Sequence, residues 1–306
     1  MKFGKATDPS TVDYSVPPLA EASSMLLQRR REQQGLDVDM GTPGWLRLGM
    51  PAWARTDWVG KFYPPKTPPT SYLLHYAEAC DAIELNATHY NTPDVATQTR
   101  WMAQTSDRFR FCPKLPKPVT HEGRLSRNVD DAKRFLDDML LVRPRMGPVF
   151  VQLPPTFGLA ALPELAAFFD AWPSDVPVVV EFRAEDIFKR QYLQREVAKL
   201  LVRHQVGTVI TDTGGRRDVC HGTLTSTTVM VRFAGQGDVN KDLPRLERWV
   251  ERLLDWRRQG VQDAYFFVHQ PDDVIAPETL VAVAPLFQEA GVDLQVPKLR
   301  EQLALF

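Results

Sequence analysis

The stretch PVVVEFR (Pro177–Arg183) has the composition of a buried β-strand that ends in charged residues. Branched apolar side chains on consecutive positions favour a strand covered on both faces, as in parallel sheets. Seven further runs of this kind occur, with stretches of helical spacing between many of them. They are Leu46–Met50, Ala82–Ala87, Arg108–Lys114, Pro148–Leu153, Gly207–Asp212, Thr228–Phe233 and Ala264–His269. Eight strands alternating with helices in about 250 residues predict a closed (β/α)8 barrel.

An open doubly wound sheet is the competing α/β fold. Such a sheet usually carries a glycine-rich phosphate-binding turn after its first strand, and Gly49-Met50-Pro51-Ala52-Trp53 is not one. We therefore predict an α/β fold with a single (β/α)8 TIM-type barrel over residues 45–297. Residues 1–44 are expected to form an N-terminal arm, with one helix near residues 18–34, and residues 298–306 a C-terminal tail.

Composition excludes several classes of protein. The 306 residues include 37 Lys and Arg against 38 Asp and Glu, a net charge of −1, which excludes a polycation that coats nucleic acid or membranes. Cys80, Cys112 and Cys220 lie far apart, so the sequence predicts neither a zinc ribbon nor a disulfide framework. Without an apolar run of signal-peptide or membrane-spanning length, we expect a soluble cytoplasmic protein with no membrane partner.

Polar residues stand at the carboxyl ends of the predicted strands, where a barrel of this type binds its ligands. They are Glu84, Asn86, Lys114, Gln152, Glu181, Arg183, Asp212, Arg232 and His269. Period-two alternation places Glu84 with Asn86 on one face, and Glu181 with Arg183 on another. Facing strands can bury ion pairs that serve only each other. Since burying so many charges without function would be costly, we predict a polar pocket of mixed charge.

The residue types suggest roles within this pocket. Lys114, Arg183 and Arg232 suit a phosphate or carboxylate ligand. Glu84 or Glu181 would be the general base, with His121 or His269 as the acid. The remaining predicted ligand contacts are Trp53, Asn86, Tyr90, Gln152 and Asp212.

Two familiar barrel chemistries fit less well. A glycosidase needs two carboxylates, commonly after strands four and seven, where this chain has Gln152 and Arg232. A metal-dependent hydrolase or isomerase of the endonuclease-IV or xylose-isomerase type needs converging His, Asp and Glu. Such ligands exist among the strand ends, but the interspersed cations would repel a metal. No cofactor is therefore predicted, and a divalent metal is not favoured.

A basic stretch runs from Arg108 to Arg127, with six Lys and Arg against the single acid Glu122. Aromatic residues occur in neighbouring loops, namely Trp53, Trp58, Phe62, Tyr63 and Tyr90. Cations combined with stackable rings suit single-stranded nucleic acid or a nucleotide. An equally good interpretation is a solvated helix start with aromatic residues that cap the barrel.

Five motifs of this chain together resemble the YecE-like family, domain of unknown function 72. They are FYP (62–64), IELNATHY (83–90), FRFCPKLPKPVTHEGRL (109–125), MGPVFVQLPPTF (146–157) and VVVEFR (178–183). The resemblance extends over residues 46–286 and implies a TIM-type barrel, but it implies no particular reaction or substrate. The chain departs from the family pattern at Gly49–Trp53 and at Val268-His269-Gln270, both on the predicted ligand face.

The last five residues, Gln302-Leu303-Ala304-Leu305-Phe306, resemble the bacterial sliding-clamp-binding peptide. In such a peptide Leu305 and Phe306 would fill an apolar pocket, while the Gln302 side chain would hydrogen-bond at its rim. The predicted partner-binding residues are Gln302, Leu303, Leu305 and Phe306. Alternatively, Leu299, Leu303 and Phe306 form the apolar stripe of a last helix. Two functions stay open: a barrel that binds or processes a phosphorylated or nucleic-acid ligand, and a non-catalytic DNA-associated module recruited by the clamp.

Overall fold

The fold is an eight-stranded parallel barrel, seen in a computed structural model that describes Gly4 and residues 6–300. The barrel strands are β1 (Leu46–Met50), β2 (Ala82–Leu85), β3 (Arg110–Pro113), β4 (Val149–Gln152), β5 (Val178–Glu181), β8 (Gly207–Asp212), β9 (Thr228–Ala234) and β10 (Asp263–His269). The strand order is β3-β2-β1-β10-β9-β8-β5-β4. Two short strands, β6 (Phe188–Lys189) and β7 (Tyr192–Leu193), form a separate antiparallel hairpin.

The ends of this order, β3 and β4, meet and nearly close the barrel. Parallel bridges join Phe111 to Met146 and Lys114 to Phe150. The Gly147 N–H donates to the Phe111 carbonyl at 2.8 Å, and the Leu115 N–H donates to the Phe150 carbonyl at 3.0 Å. The predicted (β/α)8 barrel is thus confirmed.

Helices follow the strands and form the outer layer. They are α2 (Tyr72–Ala77), α3 (Val95–Gln104), α4 (Lys117–His121), α5 (Val129–Asp138), α6 (Leu162–Asp170), α7 (Arg195–Arg203), α8 (Val239–Gln259) and α9 (Ala276–Glu289), after α1 (Glu21–Gln34) in the arm. The longest, α8, begins at Asp238, whose side chain accepts from the Asn240 N–H. Within the described ranges, no helix combines the length and the apolar composition needed to cross a bilayer.

One predicted helix begins later than the spacing suggests. The sequence predicts a helix from Tyr192 to His204, whereas α7 begins at Arg195. Tyr192 and Leu193 instead pair with Phe188 and Lys189 in the short hairpin. Arg190 turns the chain between these strands with a φ of 58°, a conformation that no helix accepts.

The two faces of the barrel strands differ in chemistry. Outward side chains such as Ile83, Leu85, Val180 and Phe182 join the apolar core under the helices, as period-two alternation predicts. The inward residues form a separate apolar layer, which consists of Ala82, Cys112, Phe150, Val179, Val209, Met230, Tyr265 and Phe267. Two residues further along seven of the strands, the inward position is polar. This mouth layer consists of Glu84, Lys114, Gln152, Glu181, Thr211, Arg232 and His269.

Candidate functional site

Arg232 of β9 lies between two buried glutamates in the mouth layer. Its Nε and Nη2 donate to Glu84 Oε2 and Oε1 at 2.9 and 2.8 Å, a bidentate pair. Its Nη1 donates to Glu181 Oε2 at 3.1 Å. The Arg232 side chain is 5% exposed, and both glutamates are buried more completely. The guanidinium therefore neutralises two carboxylates that have little access to water.

Glu84 is saturated by further donors. Asn86 Nδ2 donates to its Oε1 at 2.7 Å, and His269 Nε2 lies 2.9 Å from its Oε2. Burial alone would raise the pKa of Glu84, but Arg232 and His269 together hold that pKa well below its usual value. A carboxylate so strongly bound is a poor proton acceptor. It is well placed to fix the ring of His269.

Glu181 is held in a similar way. Gln152 Nε2 donates to its Oε2 at 2.7 Å, and Thr211 Oγ1 donates to its Oε1 at 3.2 Å. Arg183 Nε lies 3.5 Å from the same Oε1. Burial works to raise the pKa of Glu181, but the guanidinium groups of Arg232 and Arg183 outweigh it and lower the pKa. Glu181 is therefore a second fixed negative charge.

Lys114 carries the positive charge that these carboxylates do not neutralise. Its Nζ donates to the neutral Gln152 Oε1 at 2.8 Å, and the residue is 9% exposed. No carboxylate in the described part of the chain lies within ion-pair distance of this Nζ. Burial, followed by the repulsion of Arg232, lowers the pKa of Lys114 to about 8. The ammonium is buried against a neutral amide.

Two histidines lie near this cation: His89, which follows β2, and His121, the last residue of α4. The rings of His89 and His121 are 5.2 Å apart in an edge-to-face contact. Burial, and then the charges of Lys114 and Arg183, lower the pKa of His121. Burial also lowers the pKa of His89, to about 4, and its Nδ1 donates to the Leu115 carbonyl at 2.7 Å. Both rings are therefore neutral at pH 7, beside positive side chains.

Three of the predicted contacts are not brought into the mouth layer. Asp212 ends β8 but faces the helices, because the inward position is its neighbour Thr211. Its carboxylate pairs with Arg217 and with Arg245 at 3.0 Å, and it accepts from Trp249 Nε1 at 2.9 Å. Trp53 packs edge-to-face on Trp101 of α3, with ring centroids 5.3 Å apart. Tyr90 lies outside the barrel and is 75% exposed.

The basic stretch does not form one surface. Arg108 and Arg110 stand at the amino end of β3, where Arg108 pairs with Asp293 at 3.1 Å, whereas Lys114 follows the carboxyl end of the strand. Most of the predicted stacking rings pack on one another instead. Trp58 makes edge contacts with Phe62 and Tyr63, at 5.7 and 5.8 Å. The interpretation of these aromatics as a cap of the barrel therefore fits the structure better.

A cavity of about 190 Å³ lies beside His269. It is lined by the loops after β8, β9 and β10 and by the N-terminal arm, so it meets the mouth layer at His269 rather than at Lys114. Because a carboxylate only accepts, His269 Nε2 carries the proton in its contact with Glu84. Nδ1 then holds the lone pair when the ring is neutral. The sequence alone does not indicate that the arm lines this cavity or that Tyr14 is one of the lining residues.

The donor set for a divalent metal is not assembled among the described residues. No three His, Cys, Asp or Glu side chains from Gly4 and residues 6–300 converge as metal ligands would. Arg232 occupies the position between Glu84 and Glu181 that a cation would need. In the described part of the chain, Glu84 and Glu181 are thus bound to Arg232 rather than arranged as a set of metal ligands.

The predicted clamp-binding residues Gln302, Leu303, Leu305 and Phe306 lie outside the described residues. Of the alternative helical stripe, only Leu299 is described. It belongs to an irregular segment after α9 and is 37% exposed. The Arg300 N–H donates to the Lys61 carbonyl at 2.7 Å. The described part of the tail is thus not helical.

Residues 47–302 match the family described as "Protein of unknown function DUF72". The chain belongs to this family. UPF0759 protein YecE of Escherichia coli (strain K12) is 30% identical over 281 residues, which cover 85% of this chain and 99% of that protein. UPF0759 protein YunF of Bacillus subtilis (strain 168) is 24% identical over 233 residues, covering 71% and 80% respectively. The resemblance predicted from the motifs is confirmed.

Solved DUF72 structures share the fold. A DUF72 family protein from Enterococcus faecalis V583 superposes with a TM-score of 0.60 at 14% identity, covering 79% of this chain and 95% of that one. Another DUF72 family protein, from Thermotoga maritima MSB8, superposes with a TM-score of 0.58 at 21% identity, covering 73% of this chain and 92% of that one. At these identities the likeness extends to the barrel and not to its chemistry.

Proposed function

We propose that this DUF72 barrel binds a small phosphorylated or otherwise anionic ligand at its mouth layer, with Lys114 as the main anion contact. One observation carries the proposal: the Lys114 ammonium is buried against the neutral Gln152 and has no carboxylate partner among the described residues. An unpaired buried cation is costly, and a bound anion would remove that cost. Arg183 and the neutral His121 would add donors on the same side.

The geometry suggests a division of roles if the ligand is also processed. Imidazole is the side chain best suited to exchange protons near neutral pH, so His269 is the proposed proton-transfer group. Glu84 would orient the ring from its Nε2 side. Arg232 and Glu181 would hold this arrangement in place. The two glutamates, proposed as bases from sequence, are better suited to positioning because arginine already holds both.

Replacing Lys114 with Met should weaken sulfate binding roughly 10- to 100-fold, since the charged hydrogen bond lost is worth about 1.5–3 kcal/mol. Sulfate is a suitable probe because it does not titrate near neutral pH. Isothermal calorimetry at low ionic strength measures the affinity. For the native protein, binding should also weaken by up to tenfold per pH unit above about pH 8, as Lys114 loses its proton.

Lys133→Met is the matched control, because Lys133 is exposed on α5 and the substitution removes the same charge. Its sulfate affinity should equal that of the native protein. Equal losses in both variants would show a general charge effect and would refute the Lys114 site. Displacement of sulfate by a short single-stranded oligonucleotide, followed by fluorescence anisotropy, would extend the ligand class to nucleic acid.

Recruitment by the DNA sliding clamp is a second candidate, which rests on the Gln302–Phe306 peptide and requires a cytoplasmic location. The irregular, partly exposed segment at Leu299 favours it over the helical alternative. Removing residues 302–306 should abolish retention on immobilised bacterial clamp, while Lys114→Met should leave it unchanged. Equal retention of the full-length and shortened chains would eliminate recruitment through this peptide.

A further inference from the structure

The cavity beside His269 has walls from two different parts of the chain. The barrel contributes the loops after β8, β9 and β10, including Gly214 and Gln270. The opposite wall is the arm, through Gly4, Ala6, Pro9 and Tyr14. Since the family match begins at residue 47, this wall comes from outside the matched region.

The arm is fixed to the barrel by specific bonds. Three arginines donate to three consecutive arm carbonyls. Arg248 donates to the Tyr14 carbonyl at 3.4 Å, Arg217 to the Ser15 carbonyl at 2.9 Å, and Arg252 to the Val16 carbonyl at 3.2 Å. Thr213 Oγ1 also donates to the Gly4 carbonyl at 2.7 Å. Such contacts place the backbone of the arm at one position over the barrel mouth.

Tyr14 contributes its ring to the arm's wall of the cavity. Its ring lies 4.1 Å from the Arg245 guanidinium carbon and 5.3 Å from that of Arg217, so two cations hold it. A methyl group on Gly214 would lie 2.6 Å from Tyr14 Oη and 3.0 Å from the Ala6 side chain. The loop after β8 therefore leaves just enough room for the arm.

We infer that the arm is the outer wall of the cavity at the His269 end of the mouth layer and restricts that end of the ligand site to small ligands. This inference rests on the proposed function. The cavity of about 190 Å³ is smaller than the roughly 300–1,000 Å³ of ordinary ligand pockets. Large phosphorylated compounds such as nucleotides are excluded from His269 while the arm is in place. Compounds that consist of little more than the anion and a short polar chain can enter.

Gly214→Ala tests the wall, because the added methyl group pushes Tyr14 away without demanding an unusual φ. The variant should bind ATP at least tenfold more tightly than the native protein does, while its sulfate affinity stays within about twofold. Gly41→Ala is the matched control, since its methyl group would meet nothing closer than 3.7 Å. Tyr14→Ala, which opens the wall by removing the ring, should act like Gly214→Ala. Calorimetry with each anion measures both affinities.

Carbethoxylation of His269 by diethyl pyrocarbonate gives a readout that needs no ligand. Mass spectrometry should show at least tenfold faster modification in Gly214→Ala and Tyr14→Ala, relative to His75 of the same molecule. Equal His269 rates in all variants, or unchanged ATP affinity, would overturn the inference. Faster modification together with tighter ATP binding would support it. Absence of sulfate binding to the native protein would count against the Lys114 site alone, because the modification rates still report on the wall.

Discussion

Arg232→Met is expected to lower the free energy of unfolding by about 3–5 kcal/mol, the usual cost of removing one partner from a buried ion pair. Arg232 neutralises both Glu84 and Glu181, and neither carboxylate reaches solvent. Met fills a similar volume, so the loss reflects the uncompensated charges rather than a cavity. The loss should shrink as pH falls, because burial without Arg232 raises the pKa of both carboxylates and the variant takes up protons at a higher pH than the native protein does.

Urea denaturation measures this loss, and two further variants control it. Arg134→Met, on the exposed surface of α5, should change the free energy of unfolding by less than about 0.5 kcal/mol. The triple variant Glu84→Gln, Glu181→Gln and Arg232→Met removes all three charges and should recover most of the loss. If Arg232→Met lowered the free energy of unfolding no more than Arg134→Met does, the ion pairs of Arg232 with Glu84 and Glu181 would not stabilise the mouth layer.

Lys114→Met is expected to be more stable than the native protein near pH 7, with an advantage that disappears in alkali. The pKa of Lys114 is about 8 in the fold, against about 10.4 in an unfolded chain. Between these values the unfolded chain binds more protons, so the native protein gains stability as pH rises. The shift corresponds to about 3 kcal/mol, which is the amount by which the two proteins should converge between about pH 8 and pH 10.5.

Paired urea titrations of the native and variant proteins across this pH range measure the convergence. Tyrosines and cysteines that titrate in alkali contribute equally to both proteins and cancel in the difference. The free energy of unfolding of Lys133→Met should differ from that of the native protein by the same amount at every pH, because Lys133 is exposed. A constant gap between native protein and Lys114→Met would show that the pKa of Lys114 is normal.

Side-chain alternation allowed much of the mouth layer to be predicted from sequence. Residues two apart on a strand share a face, so Glu84 with Asn86 and Glu181 with Arg183 follow from the backbone itself. The same rule identifies Thr211, because Val209 belongs to the inward apolar layer. Asp212 is the last polar residue of its strand, but it lies one position beyond the inward Thr211 and so faces the other way. Alternation counted from the apolar layer would have found the correct neighbour.

Pairing partners could not be predicted in the same way. The role of a carboxylate depends on what it touches, and Arg232 lies far from Glu84 along the chain. The arm is a similar case, since its contacts with Arg217, Arg245 and Arg252 join positions more than 200 residues apart. No local pattern near Tyr14 signals such contacts. They arise only when the barrel brings its loops together.

The titration of Lys114 itself tests the anion site most directly. Nuclear magnetic resonance of side-chain carbon-13 in labelled lysine resolves its Cε signal, assigned by its loss in Lys114→Met. Without sulfate, the signal should titrate with a pKa of about 8, and saturating sulfate should raise that pKa because a bound dianion favours the charged amine. A pKa near the ordinary value of about 10.4, or one that sulfate does not move, would contradict the account.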